Sequence, residues 1–359
     1  MSRLSRISVH HLRNLSAVDL TPNPLNNVLS GHNGSGKTSF LEAIHILATG
    51  RSFRTRLTSR IIQETEPTLQ LHAKIVQPYS EIPVGMAKHR DGQTQVKVSG
   101  ETVSSIVHIA EMLPIQLLYP DGHSLLTGSP KLRRQFIDWG VFHVEHQFFH
   151  LWQRAERITK QRNALLRQGA TDQQMQSWNN ELCVVAASLH ESRAHYVEQL
   201  LPEFEIILAS LLPEIEVKIN YYRGWQRETN LSELLATNMH RDRELGYTQI
   251  GPHRADLKVT TNNMPAKDIL SQGQQKAIVY ALRLAQGKLL QTQKNKQSIY
   301  LIDDLPAELD SEKRKLIAEH LIATGAQVFV TGTDKALLAP FTEQKNVTMF
   351  HVEHGNILK

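Results

Sequence analysis

Between the short apolar segment Asn27-Val28-Leu29-Ser30 and a helical pattern from Lys37 to Leu47 lies Gly31-His32-Asn33-Gly34-Ser35-Gly36-Lys37-Thr38. It fits G-x-x-x-x-G-K-[ST], and a strand before it with a helix after it is the setting in which that pattern denotes a phosphate-binding loop. The feature commits this part of the chain to an α/β architecture. Glycines let backbone N–H groups curl around phosphates, and the helix N-terminus adds a favourable dipole. Lys37 is expected to reach the β- and γ-phosphates, and the Thr38 hydroxyl to ligate Mg²⁺. The nucleotide site is therefore assigned to Gly31, His32, Asn33, Gly34, Ser35, Gly36, Lys37 and Thr38, with ATP and Mg²⁺ as cofactors.

Two later segments suit the same chemistry. Ser298-Ile299-Tyr300-Leu301-Ile302-Asp303-Asp304 is an apolar strand ending in two carboxylates. Asp303 is expected to hold the metal through water, and Asp304 to polarise the attacking water beside Lys37. Leu270-Ser271-Gln272-Gly273-Gln274-Gln275-Lys276 precedes a helix running to about Leu290, with Ser271 placed as its N-cap. A Ser-x-Gly turn at a helix N-terminus is a second phosphate cradle. One site rarely needs two, so the economical reading is that Ser271 and Gly273 close on the nucleotide of another subunit. Lying between a P-loop and a strand-borne acidic pair, this segment resembles the signature motif of ABC-type ATPases, and Ala307-Glu308-Leu309-Asp310 falls where their D-loop lies.

Strand and hairpin patterns fill the chain from Ile7 to about residue 125, including Leu69 to Val76 and Thr94 to Val98. From Pro130, placed to start a helix, to about Leu212 the pattern is mostly helical. It breaks at Gly169-Ala170-Thr171-Asp172 and is punctuated by Pro202 and Pro213. Strand and helix alternate again from Gly251. At 359 residues the chain has room for about two domains. We expect one ATPase domain split in sequence, 1–125 and 247–359, with an inserted helical domain at 126–246. The 234 residues between Lys37 and Ser271 allow arms of at most about 60 residues each way, roughly 90 Å, too short for the long coiled coils of SMC proteins. Thr331-Gly332-Thr333 stands where a transporter ATPase would carry a histidine after its strand.

The resemblance to the RecF family of bacterial DNA repair and recombination proteins covers nearly the whole chain. Leu12-Arg13-Asn14 resembles its N-terminal F-R-N element. Leu41-Glu42-Ala43-Ile44 and Gly50-Arg51-Ser52-Phe53-Arg54-Thr55 resemble the segments after its P-loop. Pro120 to Asp138, PDGHSLLTGSPKLRRQFID, resembles its P-[DE]-…-G-x-P-x-x-R-R-…-D signature, and Gly251 to Leu257 its G-P-H-R-x-D-L stretch. The stretch from Asp303 to Lys313 resembles its second signature. The resemblance implies an ABC-type ATPase head. It also implies an ATP-controlled homodimer that binds DNA at duplex/single-strand gaps and, with RecR and RecO partners, promotes RecA loading. By the same implication Ser271 and Gly273 touch the partner's γ-phosphate.

Charge agrees with a polyanionic partner. Residues 131–167 hold eight basic and three acidic side chains, an excess equal to the net charge of +5 of the whole chain. Arg133, Arg134, Arg154 and Arg157 are the expected DNA contacts, on charge alone. One cysteine, Cys183, cannot form an internal disulfide, and no stretch approaches a membrane span, so a cytoplasmic protein with no membrane partner is expected. Two near-repeats, Phe142 to His146 and Phe350 to His354, carry His-x-Glu-His. In a strand the second would point His351 and Glu353 one way and His354 the other, which argues against a metal site. The competing functional readings are a DNA-binding scaffold that holds ATP without turnover and a small-molecule phosphotransferase, the latter disfavoured because nothing suggests a second small-substrate pocket.

Overall fold

The computed structural model describes residues 2–304, 310–333, 335–344 and 346–358. Its packing divides into two units, Met1–Gly122 with Lys276–Lys359, and His123–Gln275. The first division falls between Gly122 and His123. The second falls inside the helix Gln272–Lys294 rather than near residue 247. The cause is a pairing that local pattern does not disclose: strand Asp256–Thr261 lies antiparallel to Lys218–Tyr222, with Leu257 opposite Tyr221, and so belongs to the inserted unit.

Two six-stranded sheets build the first unit. One is antiparallel, in the order Leu15–Leu20, Arg3–Leu12, Thr68–Gln77, Ser80–His89, Thr94–Val98, Glu101–Val103. The other runs Asn356–Leu358, Val347–Glu353, Asn26–Ser30, Val328–Gly332, Ile299–Ile302, Ile115–Leu118, and is parallel except for its terminal hairpin strand. The strands Val328–Gly332 and Ile299–Ile302 are buried along their whole length, as strands covered on both faces must be. The helix Lys37–Thr49 is buried nearly all round, with Phe40, Leu41, Ile44 and Leu47 fully enclosed in a core that both sheets share. At about 1.5–3 kcal/mol per enclosed side chain, those four residues fix the helix, and with it the loop that precedes it.

Helices dominate the second unit: Pro130–Val144, Phe148–Arg167 and Asp172–Leu211. Pro130 sits in the first turn of its helix, where a missing N–H costs nothing. Thr171 caps the longest helix in a capping box with Gln174, at the break the sequence marks. Pro202, expected to punctuate, instead lies within that 40-residue helix. Buried residues continue on both sides of it, from Tyr196, Val197 and Leu200 to Phe204, Ile207 and Leu208, so packing outweighs one lost backbone bond. The outgoing and returning helices have 20 and 40 residues, well short of the longest arm the sequence allows.

Arg162 is one of the eight basic residues between 131 and 167. It is fully buried, donating to Asp242 and to Thr248 at 2.8 Å and to Asn179 at 2.8 Å. Removing one member of a buried ion pair strands the other, at about 3–5 kcal/mol. Asp242→Ala should destabilise the protein by that amount in urea denaturation. A loss below about 1 kcal/mol, the worth of an exposed pair, would contradict the buried arrangement.

Candidate nucleotide-binding site

Strand Asn26–Ser30 runs into the glycine loop, and the loop into the helix that starts at Lys37. A Cβ on Gly31 would stand 2.2 Å from the Val352 carbonyl oxygen, so only glycine lets the loop pass the terminal hairpin. Gly36 has φ +122°, a conformation closed to other residues, and leads directly into the helix. Ser35 is held from two sides, its N–H donating to His32 and its carbonyl accepting from Gly355. Asn14 donates to the Gly34 carbonyl at 3.0 Å and accepts from the Ser39 hydroxyl at 3.0 Å, bracing the loop from the first hairpin.

A cleft of about 340 Å³ opens over the loop, lined by Asn33, Gly34, Lys37, Thr38, Arg13, Arg54, Asp304 and Thr331 among others. Lys37 is buried, and its ammonium donates to the carbonyls of Gly31 and His32 at 2.8 Å each. Burial lowers its pKa, while the nearby Asp304 and Asp303 charges oppose that shift. Thr38 donates to Asp303 Oδ1 at 2.8 Å, and Thr331 donates to the same oxygen at 3.0 Å. Burial raises the Asp303 pKa, the two hydroxyl donors pull it down, and the adjacent Asp304 pushes it up again. Asp304, at the strand end, is exposed.

The donor set suits Mg²⁺. A hydroxyl and a carboxylate meet at the mouth of the loop, both are hard oxygen ligands, and two adjoining acids create the local charge a divalent cation relieves. The loop also keeps a buried hydroxyl, Ser35 Oγ, with no partner among the described residues. Thr38 and Asp303 would hold the ion, which would screen charge on the terminal phosphates.

Side chains given no role by sequence reasoning complete the cleft. Glu42, fully buried on the loop's own helix, pairs with Arg13 and accepts from Ser52, with Arg54 at 3.7 Å. One carboxylate therefore gathers two guanidinium groups at the rim, and its sequence signal is the set of short segments Arg13-Asn14, Leu41-to-Ile44 and Arg51-to-Thr55. Gln116, upstream of the Pro120 segment, is not at the cleft. It is buried and bonded to Gln286 and Arg283.

In the second unit, Ser271 is exposed and caps its helix as expected. The Gln274 N–H donates to Ser271 Oγ at 3.3 Å and the Ser271 N–H to Gln274 Oε1 at 2.9 Å. Gly273 stands in that first turn, and Ala307, Glu308 and Leu309 lie outside the described residues. Two of the four arginines chosen for DNA turn inward. Arg133 makes a two-pronged pair with Asp256 and donates to the carbonyls of Leu125, Leu126 and Gly128. Arg134 donates to the Ala255 carbonyl at 2.8 Å, and burial lowers its pKa. Both brace the inserted unit, a role that a count of charges does not reveal. Arg157 is exposed, and Arg154 is exposed beside Glu181 at 2.8 Å.

The strand Val347–Glu353 alternates as expected, with His351 and Glu353 outward and Phe350 and Val352 buried. Among the described residues no cluster of three or more His, Cys, Asp or Glu is placed to hold a metal by itself. No described helix is long and apolar enough to cross a membrane.

Residues 3–357 match the family model of the RecF/RecN/SMC N-terminal domain. The DNA replication and repair protein RecF of Vibrio atlanticus is 49% identical over 355 residues, 99% of each chain. That of Shewanella denitrificans is 45% identical over 354 residues, 99% of this chain and 98% of the other. The chain belongs to the RecF family. Its fold is shared with a solved structure of the recombination mediator protein RecF with ATP, at TM-score 0.88 and 23% identity over 100% of this chain and 97% of that one. An Smc head bound to the C-winged helix domain of ScpA is more distant, at TM-score 0.62 and 14% identity over 99% and 95%. RecF family membership and the ABC-type ATPase fold thus agree with the cleft.

Lys37→Met removes the ammonium that the loop positions, an interaction of about 1.5–3 kcal/mol for a charged hydrogen bond. Titration with a fluorescent ATP analogue should show affinity falling roughly 10- to 100-fold. Unchanged affinity would remove the phosphate-loop assignment.

Proposed function

We propose that this chain is an ATP-dependent DNA-binding protein of repair and recombination, active as an ATP-bound dimer on gapped DNA. With RecR and RecO partners it promotes the loading of RecA, and slow ATP hydrolysis resets the dimer. What supports this reading is the presence of two helix starts whose chemistry suits phosphate, one beside an acid pair and one capped by a serine. The cleft at Lys37, Thr38 and Asp303 holds one face of Mg-ATP. The capped helix start at the exposed Ser271 and the half-buried Gly273 offers donors to the γ-phosphate held by a second copy. The RecF relatives named for DNA replication and repair, at 45–49% identity over the whole chain, support it from outside.

Asp304 polarises the attacking water, and the dimer opens when the γ-phosphate is lost. On the inserted unit, Arg154 and Arg157, with the exposed Lys160 and Arg167, form a basic helix surface for the DNA backbone. A ligand shifts an equilibrium only by its differential affinity for the two states. A γ-phosphate bound by Ser271 in the dimer alone supplies that difference.

Ser271→Arg places a bulky cation at the cradle and leaves the cleft untouched. It should bind ATP normally and fail to dimerise with ATP, as read by light scattering. Normal ATP-dependent dimers in this variant would sink the shared-site arrangement. Wild-type protein that binds ATP and DNA without DNA-stimulated turnover would favour the scaffold reading instead.

A further inference from the structure

The strand Val328–Gly332 lies between the strand that feeds the phosphate loop and the strand that carries the acid pair. Val330 is opposite Ile302 on one side and Thr331 is opposite Leu29 on the other. The register therefore delivers Asp303, the residue after Ile302, beside Thr331. Thr331 is fully buried, and its hydroxyl is used twice. It donates to Asp303 Oδ1 at 3.0 Å and accepts the Asp304 N–H at 2.8 Å. One proton and two lone pairs allow both bonds at once. Asp304 has φ +48°, a left-handed conformation that L residues adopt only where the surroundings hold them.

We propose that Thr331 is a positioning residue for ATP hydrolysis. Its hydroxyl holds Asp304 in the left-handed conformation, which keeps that carboxylate on the cleft, and ties it through a single oxygen to the metal-side acid Asp303. The proposal rests on the reading of the cleft as a site of ATP hydrolysis. Thr331 touches neither phosphate nor water in this role. It fixes the separation between the acid that serves the metal and the acid that serves the nucleophile. Thr38 donates to the same Asp303 oxygen from the loop's helix, so Thr331 links the acid pair to the phosphate loop as well.

Valine keeps the shape of Thr331 and loses both bonds, whereas serine keeps the hydroxyl. Thr331→Val should lower kcat for ATP roughly 10- to 100-fold, the usual effect of a misplaced catalytic group. Its Mg-ATP affinity should stay close to wild type, and Thr331→Ser should restore most of the turnover. Wild-type turnover in Thr331→Val, or affinity falling in step with turnover, would overturn the proposal. Crystal structures of wild type and Thr331→Val separate this idea from the reading beneath it. Asp304 leaving the left-handed region in the valine variant supports the clamp even if the wild type proves not to hydrolyse ATP. Asp304 keeping its conformation there overturns the clamp even if hydrolysis is confirmed.

Discussion

Two threonine hydroxyls converge on one carboxylate oxygen, Asp303 Oδ1, from Thr38 at 2.8 Å and Thr331 at 3.0 Å. They arrive on different elements, the helix that follows the glycine loop and the strand at the centre of the parallel sheet. Strand order makes the meeting possible, because the threonine strand separates the loop strand from the acid strand. The rest of the cleft depends on the same convergence. Lys37 is buried behind the loop, Glu42 gathers Arg13 and Arg54 at the rim, and the terminal hairpin presses against Gly31 and Ser35. Lengthening the threonine strand or the acid strand by one residue would turn its side chains to the opposite face.

What could be read from the sequence is what short segments decide for themselves. The glycine loop, the proline-led helix at Pro130, the capped breaks at Thr171 and Ser271 and the alternation of Phe350 to Glu353 each depend on a few neighbouring residues. What escaped depends on distant partners. Arg133, Arg134 and Arg162 look like surface charge until Asp256, the Ala255 carbonyl and Asp242 are brought to them by folding. The extent of the inserted unit escaped for the same reason, since strand Asp256–Thr261 finds its mate more than thirty residues upstream. In the sequence Thr331 stands out only as part of a segment that lacks a histidine. Its use became visible once the register placed it beside Asp303.

In the proposed switch the energies are of a workable size. Moving a two-state equilibrium from 1:99 to 99:1 takes about 5.5 kcal/mol of differential binding. Two shared sites, each adding one or two charge-assisted hydrogen bonds of about 1.5–3 kcal/mol, reach that range. Surface ion pairs, at about 0–1 kcal/mol each, would not, and they would make association depend on salt rather than on nucleotide. Loss of the γ-phosphate removes the differential term at both sites, so even slow hydrolysis is enough to release the dimer.

The most direct test of this account is sedimentation velocity of the protein with labelled gapped duplex DNA at fixed salt, with and without Mg-ATP. The account predicts a dimer that co-sediments with the DNA only when Mg-ATP is present. A monomer that binds the DNA equally in both conditions would contradict it, and would leave the basic helix surface acting without the nucleotide.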